Sequence, residues 1–306
     1  MLNSQLVEEV AAELGTAPGL IEKEWHVVRA IAVVSALDQG EARPVFSGGT
    51  SLSVGWGLIQ RFSEDADFKV VMPAAANPSQ GRARRREFRE RVLAALTAAD
   101  FRLIGPVRKA SRFFSANLAY PNGFNLAVGF RPYLQIEMTF EAPTLPTIDR
   151  PIHSLIARAQ DRDPEIPAFP CVDPVETAAD KLSALAWRVC ARERGSPKDD
   201  PTIVRHLHDL AALESRVATA PAFTTLLLVA AAADSGRGGG RVPIDASDRF
   251  SMMLDRLGTD PVWADEYDRF VQNVSFAASD EIVRFDKALE AAKRLATTAG
   301  VIARSS

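Results

Sequence analysis

One change of rhythm divides this chain. Up to Glu141 apolar residues recur with a period of two as well as in helical blocks, and beyond Pro174 they recur with helical spacing alone. In "DADFKVV" (65–71) Ala66, Phe68 and Val70 fall on one face, and Asp65, Asp67 and Lys69 on the other. In "YLQIEMTF" (133–140) Leu134, Ile136, Met138 and Phe140 oppose Tyr133, Gln135, Glu137 and Thr139. Such alternation marks a strand with one buried face. "RPVFSG" reads as a short strand running into a glycine turn, "FRLIGPVRK" as another strand, and "RFFSANLAY" and "FNLAVGF" as a hairpin across "PNG". Helices are predicted over 4–15, 18–39 and 82–99, with Pro18 suited to a first turn and Gly40 to a stop. Residues 50–60 read as a short helix or loop. Prolines crowd 143–174 and mark irregular connections and a boundary. Beyond them helices are predicted over 174–194, 200–216, 221–234, 246–257, 260–277 and 280–298, with "GRGGGR" at 236–241 as a loop. The expected fold class is α+β: an α+β domain over 1–145 with N-terminal helices, then a helical domain over 146–306.

Composition excludes several classes. Hydrophobic content of 47% over 306 residues is enough to bury a large core without disulfides or a structural metal. Net charge is −3, so any nucleic-acid surface must be local. Cys171 and Cys190 form no Cys-x-x-Cys pair and no Cys/His cluster, so they read as reduced thiols of a cytoplasmic protein and not as zinc ligands. The acidic, amphipathic start "MLNSQLVEEVAAELG" is unlike a signal peptide. The apolar run "FTTLLLVAAAA" is far short of the ~20 residues a membrane span needs, so no membrane partner is expected.

The chemistry gathers in "FSGGTSLSVGWGLIQRFSEDADFKVV", residues 46–71. Taken apart, Gly-Gly after a strand is an ordinary turn and Asp-x-Asp an ordinary solvated edge. Taken together they describe more. Residues i and i+2 of a strand point the same way, so Asp65 and Asp67 offer two oxygen ligands to one place. That suits Mg²⁺, which takes one or two carboxylates with phosphate oxygens and water. The N–H groups of Gly48 and Gly49, with the hydroxyls of Thr50 and Ser51, would hold phosphates. Glu137, on the polar face of the second alternating strand, would complete a three-carboxylate cluster able to hold a second metal or activate a hydroxyl.

These residues resemble the first motif of the nucleotidyltransferase toxins of the AbiEii/AbiGii (MenT-like) family, within the DNA polymerase β-like nucleotidyltransferase superfamily. The family pattern is GG-[ST]-x-L followed by R-x-S-x-D-[ILV]-D, and Gly48, Gly49, Thr50, Leu52, Arg61, Ser63, Asp65 and Asp67 stand in the matching places. "IEKEWHV" near residue 21 is similar to an N-terminal I-E-K-D-[YW] stretch. "DKLSALAWR" matches D-K-L-x-A-L-x-x-R, giving Lys181 and Arg188, and "RHLHDL" matches R-[DH]-L-x-D-L, giving Arg205 and Asp209. Two positions depart from the pattern: Val54 stands where the family commonly has lysine, and His208 where it has tyrosine.

The resemblance implies a polymerase β-like fold with a mixed sheet, an NTP substrate, Mg²⁺ (one ion or two), an RNA acceptor with tRNA 3′ ends foremost, and a cognate antitoxin. It implies that Asp65 and Asp67 chelate the metal with Glu137, that Glu137 takes the proton of the attacking hydroxyl, and that Arg61 and Ser63 face the triphosphate. Lys181 becomes a phosphate contact, Arg188 a second one, and Asp209 the residue that positions Lys181 or the nucleotide. Without the resemblance, Lys181 and Arg188 are solvated residues on one helix face, and Arg205 and Asp209 an i,i+4 ion pair. A modification of Ser63 would add negative charge beside Asp65. Residues 81–112 carry ten Lys/Arg, among them Arg82, Arg84, Arg85, Arg86 and Arg89, against three acids. That local +7 is either a solvated helix face or a phosphate-backbone surface for RNA. Three functions stay open: transfer to RNA, transfer to a small-molecule or protein hydroxyl on the same fold, and nucleotide sensing without turnover. The nucleotide used and the oligomeric state are not encoded in these patterns.

Overall fold

A computed structural model describes residues 2–37, 40–126, 130–197 and 199–302. The chain divides into two units, Met1–Val172 and Asp173–Ser306.

The first unit is built on a mixed seven-stranded sheet of order β3-β4-β5-β2-β1-β7-β6. Its strands are β1 (Arg43–Ser47), β2 (Asp65–Val71), β3 (Arg102–Ala110), β4 (Phe113–Ala119), β5 (Leu134–Thr139), β6 (Ile148–Ile152) and β7 (Ile166–Cys171). The helices are α1 (Ser4–Glu13), α2 (Pro18–Ala36), the single turn α3 (Gly48–Thr50), which runs into a π-helical turn over Ser51–Gly55, α4 (Pro78–Ala98) and α5 (Leu155–Ala159). The alternation in the sequence is the burial pattern of the strands. Ala66, Phe68 and Val70 of β2 and Leu134, Ile136 and Met138 of β5 are buried, while Asp65, Asp67, Lys69 and Glu137 are half-buried on the other face. Pairing is parallel for β2 with β5 and for β1 with β7, and antiparallel elsewhere. α4 is capped by Asn77 and lays Phe88, Val92 and Leu96 into the core.

Two expectations need correction. β4 is flanked by β3 and β5, so "RFFSANLAY" does not form a hairpin with "FNLAVGF"; of that second segment residues 124–126 and 130 carry no strand, and 127–129 lie outside the described residues. Residues 146–172, assigned by sequence to a helical domain from 146, include β6 and β7 and belong to the sheet. The prolines there sit on strands beside or at the sheet's edge (Pro151 on β6, Pro167 and Pro170 on β7), where a missing N–H is tolerated.

The second unit is helical: α6 (Pro174–Ala191), α7 (Arg205–Val217), α8 (Phe223–Ala233), α9 (Ala246–Thr259), α10 (Val262–Val274) and α11 (Phe285–Thr298), with 3₁₀ turns over Pro201–Val204 and Gly239–Arg241. Asp173 caps α6 by accepting from Val175 N at 2.8 Å, and Pro174 opens it. α6 packs against α7, α8 and α9, and α11 against α7.

Candidate active site

The sheet register builds an acidic face. Asp67 of β2 stands beside Glu137 of β5, and Asp65 beside Gln135. Glu137 is opposite Ser115 of β4, Ser115 opposite Arg108 of β3, and Asp67 opposite Ser47 of β1. One rung across five strands thus reads Arg108, Ser115, Glu137, Asp67, Ser47. Gln135 Nε2 donates to Glu137 Oε1 and to Ser115 Oγ, both at 2.7 Å. Burial, and next the Asp65 charge, push the Glu137 carboxyl above its ordinary pKa. Repulsion between neighbouring carboxylates is relieved by a bound cation, and the donors are hard oxygens, as Mg²⁺ prefers.

The turn after β1 fits closely against this face. Gly48 has φ of +75°, and a Cβ there would lie 2.1 Å from Asp67 Oδ2. Only glycine allows the backbone so near the carboxylate. A Cβ on Gly49 would lie 2.7 Å from the Arg61 guanidinium and 3.2 Å from Ser63 Oγ. Arg61 is buried and donates to the Phe62 carbonyl at 2.9 Å, so it braces the turn from inside the protein. Ser63 is half-buried beside the same turn. The hydroxyls of Thr50 and Ser51 do not serve as expected. Both residues are buried; Thr50 Oγ1 donates to the Asp65 carbonyl, tying the turn to β2, and Ser51 lies against the Cys171 thiol. Val54 is also buried, and its carbonyl accepts from Arg158 Nη2 at 2.8 Å.

The predicted three-carboxylate cluster is not gathered. Among the described residues no three His, Cys, Asp or Glu side chains are grouped as a metal site. The physical reason is visible at Asp65, whose Oδ1 accepts from Arg131 Nη2 at 2.5 Å, and at Glu137, which is tied to Gln135. Two carboxylates on one strand face still fit a cation that draws its other ligands from phosphate and water.

Sequence reasoning passed over Arg131 and Glu64, and took in Gln135, Lys23 and Arg108 only as members of a strand face, a motif and a basic stretch. Arg131 Nε donates to Glu64 Oε2 at 2.9 Å, and Lys23 Nζ lies 3.2 Å from Glu64 Oε1. Gln135 carried a usable signal, since it shares the polar face of its strand with Glu137. The "IEKEW" block proves to be a fastening. Glu22 accepts from Gly123 N at 2.7 Å and Phe124 N at 3.1 Å, and Glu24 accepts from Leu155 N at 3.1 Å; Glu22, Lys23 and Glu24 are all buried.

In the helical unit Lys181 Nζ and Asp209 Oδ2 are 2.7 Å apart, with Asp209 fully buried. His208 Nδ1 is 3.5 Å from Asp209 Oδ1. Arg205 reaches Asp200 at 3.0 Å, which also meets Arg188 at 3.5 Å. On α4, Arg82 and Arg86 are exposed and Arg85 and Arg89 half-buried. Arg84 points to another flank, donating to the Ala74 carbonyl at 2.8 Å and lying 3.7 Å from Glu41.

The family model described as nucleotidyl transferase AbiEii toxin, type IV toxin–antitoxin system, matches residues 32–291. The chain belongs to this family. It is a nucleotidyltransferase toxin of the AbiEii type. The match begins after the "IEKEW" block and takes in the turn, both acidic strands and both helical motifs. Among solved structures the fold is similar to that of MenT4, a nucleotidyltransferase toxin from Mycobacterium tuberculosis H37Rv, with a TM-score of 0.53 and 19% identity over 96% of this chain and 99% of that one. No curated protein matches the sequence. Among the described residues of this AbiEii-family chain, no helix is long and apolar enough to cross a membrane.

Proposed function

We propose that this AbiEii-family protein transfers a nucleoside monophosphate from an NTP to an RNA hydroxyl, with tRNA 3′ ends as the acceptor, in a Mg²⁺-dependent reaction in the cytoplasm, and that a cognate antitoxin restrains it. The observation that carries the reading is the five-strand rung. It sets Glu137 beside Asp67, with the Gly48 backbone against the Asp67 carboxylate.

Asp65 and Asp67 would hold the divalent cation, which supplies charge neutralisation for the triphosphate when bound. Glu137, with its raised proton affinity, is suited to take the proton of the attacking hydroxyl. Gln135, two residues back on β5, donates to Glu137 Oε1 and fixes that oxygen of the carboxylate. The Gly48 and Gly49 N–H groups offer donors for phosphate oxygens. Lys181, gripped by Asp209, is a further candidate for a phosphate contact. Attack on the α-phosphate would release pyrophosphate, and most of the rate enhancement would come from positioning and charge neutralisation. Arg82, Arg85, Arg86 and Arg89 share one flank of α4 and favour RNA over a small molecule as the acceptor.

Incubation with Mg²⁺, each labelled NTP and total RNA, beside an Asp65→Ala/Asp67→Ala variant, tests the proposal. Label entering tRNA only with the native protein supports it. Label entering small molecules or protein alone redirects the acceptor. Nucleotide binding without any transfer overturns it.

A further inference from the structure

Arg131 is held from three directions. Its Nε donates to Glu64 Oε2 at 2.9 Å, its Nη1 donates to Gln135 Oε1, and its Nη2 donates to Asp65 Oδ1 at 2.5 Å. The backbone is pinned as well: Arg131 N donates to Glu64 Oε1 at 3.1 Å, and its carbonyl accepts from Lys23 Nζ at 2.5 Å. Glu64 is gripped by Lys23 in turn. Asp65 alone among these partners is an expected cation ligand. A guanidinium nitrogen at hydrogen-bond distance fills one lone-pair direction of Asp65 Oδ1, and its positive charge opposes a second cation on the same carboxylate. Arginine suits this place better than lysine. Its planar fork can release one partner while keeping two, whereas an ammonium has one centre to move.

We propose that Arg131 is a positioning residue that acts as the resident counter-cation of Asp65, holding that carboxylate on the acidic face until a divalent cation takes its oxygen. Glu64 and Gln135 keep the guanidinium in place after Asp65 has been yielded. Its freed N–H groups are then available to the triphosphate. This rests on the reading of Asp65 as a cation ligand and of NTP as the substrate. An arginine that merely tied the fold together would lower both affinities when removed. A counter-cation that changes partners moves them in opposite directions.

The experiment uses the full chain. Mn²⁺ binding without nucleotide is followed by loss of the free-ion electron paramagnetic resonance signal in the native protein, Arg131→Gln and Asp65→Asn. Binding of a non-hydrolysable α,β-methylene NTP is then measured by calorimetry at saturating Mn²⁺. Arg131→Gln is expected to bind Mn²⁺ roughly three- to tenfold tighter and the analogue roughly tenfold weaker. Mn²⁺ affinity that is unchanged or reduced in Arg131→Gln overturns the proposal. If Arg131→Gln fails to fold, the neutral Arg131→Met replaces it, with the same opposite signs expected and the same result decisive. Asp65→Asn is expected to lose Mn²⁺ binding. If it binds Mn²⁺ as the native protein does, the cation reading itself fails, a result distinct from failure at Arg131.

Discussion

Gly48 shows how little room the acidic face leaves for error. Its φ of +75° and the 2.1 Å approach of a would-be Cβ to Asp67 Oδ2 act together. Gly57 separates them, because its φ is +64° yet nothing lies within 4 Å of a Cβ there. Gly57→Ala should therefore cost only the left-handed penalty of about 1–2 kcal/mol. Gly48→Ala should cost more and also weaken Mn²⁺ binding, which denaturant titration and Mn²⁺ titration would show. Lys181→Met leaves Asp209 buried without its lysine, and about 3–5 kcal/mol of stability should be lost in urea unfolding. Lys181→Met/Asp209→Leu should recover most of that stability without recovering nucleotidyl transfer. That Asp65, Asp67 and Glu137 lie on one face of the sheet was legible because the period of a strand fixes which side chains share a face. Arg131 was not, because its partner is set by the path of the chain between β4 and β5. Thr50 and Ser51 were misjudged for a related reason: a hydroxyl beside glycine carries no mark of whether it turns inward.

At the level of elements, α2 is unusual in burying three consecutive charged residues, Glu22, Lys23 and Glu24. Burial pushes the Glu24 carboxyl up to about 8 from an ordinary 4.5, while burial and then Arg29 push His26 down to about 4 from 6.5. The signs oppose. Glu24 binds its proton more tightly in the folded state, so its contribution is complete below pH 4.5 and is lost as pH rises through 8. His26 binds its proton less tightly when folded, so its contribution is complete above 6.5 and is lost as pH falls through 4. The two slopes cancel between 4.5 and 6.5 and leave a net fall from 6.5 to 8. The fall should reach about 2 kcal/mol at most. Glu24→Gln should flatten it, as melting temperatures at pH 6.5 and 8 would show. Element existence was legible for β2, β5 and α6 from apolar period alone. β6 and β7 were hidden because proline argues against a central strand, and they lie at one side of the sheet. The partner of β4 was hidden because turn residues signal a reversal without saying which strand is met after it.

Over the whole molecule, charge is unevenly shared. Residues 81–112 carry +7 within a total of −3, which leaves −10 on the rest of the chain. A protein of isoelectric point near 5.9 should accordingly still bind RNA at low salt. Replacing Arg82, Arg85, Arg86 and Arg89 by alanine should flatten the dependence of log K on log salt by up to ~3. An unchanged slope would make α4 a solvated face. The division into a sheet unit and a helical unit was legible from the loss of period-two patterning, but its place after Val172 was not, because the strands that close the sheet are written in proline-rich sequence.

The parallel pairing of β2 with β5 has a further consequence, in time. Asp67 and Glu137 become neighbours only when strands far apart in the chain meet. A nascent polypeptide that has left the ribosome as far as α4 already displays both aspartates, but it has no acidic rung. The acidic face therefore stays unassembled through early translation and arises only after β5 has cleared the exit tunnel. For a member of a toxin family, synthesis itself delays the hazard.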